Sequence, residues 1–138
     1  MSEFHNFQEM RVWQKSRVLV RAIRAICKRE ATQKDWSFID QITSAVRSIS
    51  ANIAEGSDAM TTPEFINFLG YAKRSATEVR SHLYDALDEQ YISHDEFKNL
   101  VDQTYSITRM LASLIHYLQS INPNLKRTFK EKLPQPVN

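Results

Sequence analysis

Cysteine, glycine and proline are nearly missing from this sequence, and each scarcity removes a class of protein. A single cysteine, Cys27, in 138 residues excludes an internal disulfide and suits a reducing compartment. Its place among apolar helix positions marks a small buried hydrophobe more readily than a nucleophile. Two glycines, Gly56 and Gly70, could hardly build a phosphate-cradling loop. Of the four prolines, one is Pro63 and the others begin at Pro123, so long stretches carry no helix breaker. No apolar run approaches the roughly 20 residues that cross a bilayer. The opening Met1-Ser2-Glu3-Phe4-His5 lacks the basic-then-apolar order of a secretory signal. A single soluble, cytoplasmic domain is expected, long enough to bury a core unaided.

What is present is helical periodicity. Ile39, Ile42, Val46, Ile49 and Ile53 step by three and four along one narrow seam. Small residues Ala45, Ala51 and Ala54 flank it, and Gly56 is expected to end that helix in the left-handed conformation. Before it, Val12, Leu19, Val20, Ile23, Ile26 and Cys27 fill one arc of a first helix over about 7–31. A polar link, Thr32-Gln33-Lys34, leads to Asp35 as N-cap of the second. Thr61 and Glu64, then Ser93 and Glu96, have capping-box spacing. Met60 with Phe65 and Ile92 with Phe97 are placed as hydrophobic staples. Phe65, Leu69, Ala72, Ala76, Val79, Leu83 and Ala86 run down the third helix. Leu100, Thr104, Ile107, Leu111, Leu114, Leu118 and Ile121 run down the fourth. Short links make neighbours antiparallel, so the expected fold is all-α, an up-down-up-down four-helix bundle over 1–121. A basic tail over 122–138 follows, stopped from helix by Asn122-Pro123-Asn124.

Charge is segregated along the chain. Residues 1–31 hold seven Lys/Arg against three Glu, residues 32–121 hold seven basic against twelve acidic groups, and the tail is basic again, within a net charge of +2. Arg17, Arg21, Arg24 and Lys28 form one stripe on the first helix, about 16 Å long at 1.5 Å per residue. Arg11, Lys15 and Arg29 lie on the other flank of its polar face. Such a ridge can face several backbone phosphates. No aromatic residues are interleaved in the stripe, so sequence-specific readout is not expected.

Catalytic patterns are sparse. Four histidines (His5, His82, His94, His116) lack metal-ligand spacing, and the Glu-x-x-His motif of di-metal bundles does not occur. Glu78 with His82 is the nearest pair, and it reads as a helix-surface feature. No metal, cofactor or catalytic residue is expected. Phe68, Tyr71, Tyr84, Leu87, Tyr105, Met110, Ile115 and Tyr117 exceed what one seam needs, and Trp13 and Trp36 favour a core edge or interface. Self-association is therefore expected.

The segments Met10-Arg11-Val12-Trp13-Gln14-Lys15, Asp40-Gln41-Ile42, Ser48-Ile49 and Ala51-Asn52-Ile53-Ala54-Glu55-Gly56 carry a resemblance, as do Glu64-Phe65-Ile66-Asn67-Phe68-Leu69, Ala72, Ser75, Glu78 and Tyr91-Ile92. Over about residues 7–121 the chain resembles bacterial four-helix-bundle proteins encoded in intervening sequences of 23S ribosomal RNA genes. These are relatives of the accessory variability protein of diversity-generating retroelements. The resemblance implies a ring-like homopentamer with a basic surface toward RNA or DNA and, in the retroelement branch, a reverse transcriptase as partner. Thr43-Ser44 replaces a frequent basic pair, Ser50 a proline and Arg47 an apolar residue. Lys73-Arg74 stands where glycine is common. These departures shift the expected nucleic-acid surface to Arg11, Lys15, Arg17, Arg21, Arg24 and Lys28, together with Lys73 and Arg74. A structural scaffold that holds a protein partner without nucleic acid is the alternative.

Overall fold

The structure is a computed structural model that describes residues 6–121; the basic tail and its Pro123 stop lie outside the described residues. Four helices account for most of it: α1 (Arg11–Cys27), α2 (Trp36–Ser57), α3 (Thr62–Asp88) and α4 (His94–Ser120). α2 packs on α3, α3 on α4 and α1 on α2, and α1 closes the ring against α4. α1 and α3 therefore stand on a diagonal. Contacts at the ends fix the direction of each helix. Arg29, just past α1, meets Glu96 in the first turn of α4, and Tyr91, before α4, meets Asp35 at the start of α2. The bundle is up-down-up-down, as three short links require.

The expected apolar stripes make the core. Ile42, Val46, Ile49 and Ile53 of α2 are 0–1% exposed, as are Phe65, Leu69, Val79 and Leu83 of α3. Burying each such side chain contributes about 1.5–3 kcal/mol relative to leaving it in water. Both capping boxes form. The Glu64 amide donates to Thr61 Oγ1 and the Thr61 amide to Glu64 Oε1, each at 3.3 Å; Ser93 and Glu96 repeat the exchange at 3.1 and 2.9 Å. Asp35 caps α2 through the Phe38 amide at 3.2 Å. Ile92 is buried and Phe97 packs on the core, whereas Met60 stays 56% exposed.

Two expectations change. The first helix is shorter at both ends than 7–31. Met10 is extended and buried, and a separate 3-10 turn over Phe7–Glu9 brings Phe7 edge-on to Trp13 at 5.1 Å. At the other end, Thr32 is fully buried, and its Oγ1 lies 2.8–3.1 Å from the carbonyls of Ile26, Cys27 and Arg29. Gln33 Nε2 donates to Cys27 O at 2.9 Å. These side chains satisfy the last carbonyls of α1, and the chain leaves the helix.

Gly56 is not left-handed and does not terminate α2; it lies within the last turn of the helix. Its role is close approach. A Cβ there would fall 2.9 Å from both Phe65 Cδ1 and Phe68 Cβ of α3. The one left-handed residue among those described is Gln90, with φ 63°. It ends α3 in a Schellman motif, with the Tyr91 amide on Ala86 O at 2.9 Å and the Gln90 amide on Leu87 O at 3.0 Å.

The two glycines should respond oppositely to one substitution. Gly56→Ala is expected to lower stability by about 1–3 kcal/mol through overpacking. Gly70→Ala, whose Cβ meets nothing within 4 Å, should raise it by about 0.5–1 kcal/mol through helix propensity. Denaturant midpoints of the two variants check this.

Candidate nucleic-acid interface

α1 turns Val12, Ser16, Leu19, Val20, Ile23, Ile26 and Cys27 into the core, so its cations point outward. Arg11, Lys15, Arg21, Arg24 and Lys28 are exposed and Arg17 is half-buried, its guanidinium 5.9 Å from the Trp13 ring centroid. No ion pair among the described residues engages any of the six. Lys73 is half-buried and Arg74 exposed, with its guanidinium 4.9 Å from the Tyr71 centroid. These two sit on α3, diagonal to α1, so the expected residues fall into two separate groups.

Arg29 leaves the ridge. Its Nη1 donates to Tyr91 O at 2.9 Å and to Glu96 Oε1 at 3.1 Å, and its Nη2 meets Glu96 Oε2. The Tyr91 hydroxyl donates to Asp35 Oδ2 at 2.6 Å, so one network ties the starts of α2 and α4 to the end of α1. The sequence could not reveal a partner 67 positions away.

Arg47 joins the ridge instead. Cys27 Sγ lies 3.8 Å from Thr43 Oγ1, which sets the register of antiparallel α1 and α2. One turn further, Arg24 and Arg47 come level beside the seam, and Arg47 is exposed. Around it, Ile39, Asp40, Thr43, Ser44, Ser48 and Ala51 line a shallow depression on α2, so one carboxylate shares it with Arg47. A helical wheel combined with the antiparallel register would have found Arg47; the resemblance marks it only as a departure. Asp40 and Glu55, also on α2, make no ion pair with these cations.

The other chemistry-bearing groups gather elsewhere. Burial holds the Cys27 thiol above its ordinary range, against the opposing pull of Thr43 and Arg24, so it is poorly suited to act as a nucleophile. His82 lies between Glu78 at 3.5 Å and Asp85 at 3.7 Å, beside a cleft of about 260 Å³ lined by Asp35, Asp85, Asp88 and Glu89. Among the described residues no three His, Cys, Asp or Glu side chains converge as metal ligands. No described helix is long and apolar enough to cross a membrane. Trp36 is 75% exposed, far from a core edge.

An all-α four-helix bundle with exposed cations along α1 is the class these features define. The sequence matches the family model described as 23S rRNA-intervening sequence protein over residues 8–113, and the chain belongs to that family. It is also similar to a crystal structure of a protein of unknown function from the S23 ribosomal protein family of Bacteroides thetaiotaomicron VPI-5482. The two are 28% identical with a TM-score of 0.69, over 75% of this chain and 97% of the other. A comparison with curated proteins returns no match.

The Arg29–Glu96 contact makes a pH prediction. Arg29 first, then the Ser93 amide, hold the Glu96 carboxyl down from 4.5 to about 2. A depressed carboxyl stabilises the fold above its unfolded value and loses that effect as pH falls from about 4.5 towards 2. Glu96→Gln should therefore melt below wild type at neutral pH, with the gap closing by about pH 2; thermal melts across that window check it.

Proposed function

We propose that this protein is a non-catalytic, self-assembling bundle that grips the sugar-phosphate backbone of RNA or DNA along α1. The observation that carries this reading is the ridge of Arg17, Arg21, Arg24 and Lys28, extended by Arg47, with no carboxylate partner among the described residues. Cations left unneutralised on a rigid helix gain most by meeting phosphates and releasing counterions. Backbone contacts of this kind position a strand without reading its sequence.

Assembly strengthens the reading. Trp36 and Tyr71 are 75% and 45% exposed on a single copy, a surface composition that favours contact between copies. The resemblance implies a homopentameric ring, and a weak ridge repeated around a ring gains avidity on one strand. The same exposed rings favour a second reading, a scaffold for a protein partner such as a reverse transcriptase. A buried, reduced thiol agrees with a cytoplasmic location.

Replacing Arg17, Arg21 and Arg24 together by Gln tests the ridge. Affinity for RNA should fall at least tenfold at low salt and the salt dependence should flatten, while the thermal melt stays unchanged. Unchanged affinity would reject the ridge, and salt-insensitive retention of a protein with no RNA would favour the scaffold.

A further inference from the structure

The face between α3 and α4, on the far side of the bundle from the α1–α2 seam, interleaves cations with exposed rings, whereas Trp13, the ring on α1, is half-buried. At its centre, Arg80 lies with its guanidinium 4.1 Å from the Tyr105 ring centroid. Three threonine hydroxyls hold it there. Nη1 donates to Thr104 Oγ1 at 3.1 Å and Thr108 Oγ1 at 3.5 Å, and Nη2 donates to Thr77 Oγ1 at 3.1 Å. Each hydroxyl in turn donates to a carbonyl of its own helix, of Val101, Thr104 and Lys73 respectively. The cradle is neutral, so it fixes the guanidinium in place and leaves its charge uncompensated. Tyr105 remains 47% exposed beyond the cation.

Further cations and a second ring continue the pattern. Lys73 lies two helical turns before Arg80 on α3, while Lys98 and Arg109 lie seven before and four after Tyr105 on α4. None of them makes an ion pair among the described residues, and Asp102, the carboxylate on that side of α4, engages none. Tyr84 is 57% exposed and packs edge-on against Phe97 with centroids 4.9 Å apart, which holds its ring rigid at the surface. A solvent-facing aromatic that a neighbour already orders loses little entropy when a flat partner lands on it.

We propose that this α3–α4 face binds single-stranded RNA, with unpaired bases stacking on Tyr105 and Tyr84 and phosphates meeting Arg80, Lys73, Lys98 and Arg109. The inference rests on the nucleic-acid reading above but gives the protein a second surface that prefers unpaired strands. A duplex keeps its bases stacked inside and can use only the cations, whereas a loop or single strand can use the rings as well.

Binding of an oligouridylate and of a blunt RNA duplex of equal length, measured by fluorescence anisotropy, tests it. Tyr84→Ala with Tyr105→Ala should weaken oligouridylate binding at least tenfold, leave duplex binding within twofold and leave the salt slope unchanged. Tyr84→Phe with Tyr105→Phe should restore it, because the ring and not the hydroxyl does the stacking. If the alanine pair binds oligouridylate like wild type, the α3–α4 proposal falls, and loss confined to the Arg17/Arg21/Arg24 variant leaves the α1 reading standing. Loss in the tyrosine variant with retention in the α1 variant supports this face and removes the α1 reading. No binding to either RNA overturns both. A change of subunit number in the alanine pair would mark the face as a contact between copies and overturn the proposal.

Discussion

The close approach of α2 to α3 is the constraint on which the rest of the molecule depends. Gly56 lets the Phe65 ring and the base of Phe68 lie directly against the α2 backbone, and Ala72, Ala76 and Ala86 keep the α3 side equally small. Midway along the same contact, Ser75 Oγ donates to Ser48 Oγ at 2.8 Å, and Asn52 Nδ2 donates to both the carbonyl and the hydroxyl of Ser48. Packing and polar stitching together fix one register. Asn52, Ile53 and Gly56 belong to one of the segments that carry the family resemblance, and in this fold they act on helix packing.

Once α2 and α3 are fixed, α1 and α4 close the bundle and the charges separate. α1 spends its apolar arc on the α2 and α4 sides, so its arginines have nowhere to go but outward. The carboxylates of Asp35, Asp85, Asp88 and Glu89 collect around a cleft between the start of α2 and the end of α3. Arg29 is the exception among the early cations. It is withdrawn into the contact with Glu96 and Tyr91 that ties the connections at one end. The Tyr91 hydroxyl is pushed up to about 12, chiefly by its hydrogen bond to Asp35, so it keeps its proton and donates at neutral pH.

Local rules were readable in the sequence and non-local ones were not. Both capping boxes and the Asp35 cap involve groups three residues apart, and the core stripes follow from helical spacing alone; all of these formed, with Ile39, Leu114 and Ile121 only half-buried at the edge of the core. The ends of α1 depend on Met10 reaching the core and on Thr32 reaching back to Ile26, Cys27 and Arg29, which no window of helical periodicity encodes. Gly56 has the composition of a terminator and the function of a spacer, a distinction that only the position of Phe65 makes. The cations of α1 were visible because they lie on one helix. Arg47 and the Arg80–Tyr105 pair were not, because each becomes meaningful only when a second helix arrives at a particular register.

The central claim is that packed helices leave unneutralised cations on a rigid, repeated surface that meets nucleic acid through charge. Light scattering of the full chain, with and without RNA at two salt concentrations, tests it most directly. The account predicts a mass of several subunits in either salt, which rises on adding RNA at low salt and returns to the protein-only value at high salt. A mass unaffected by RNA at low salt, or an RNA-bound mass indifferent to salt, would contradict it.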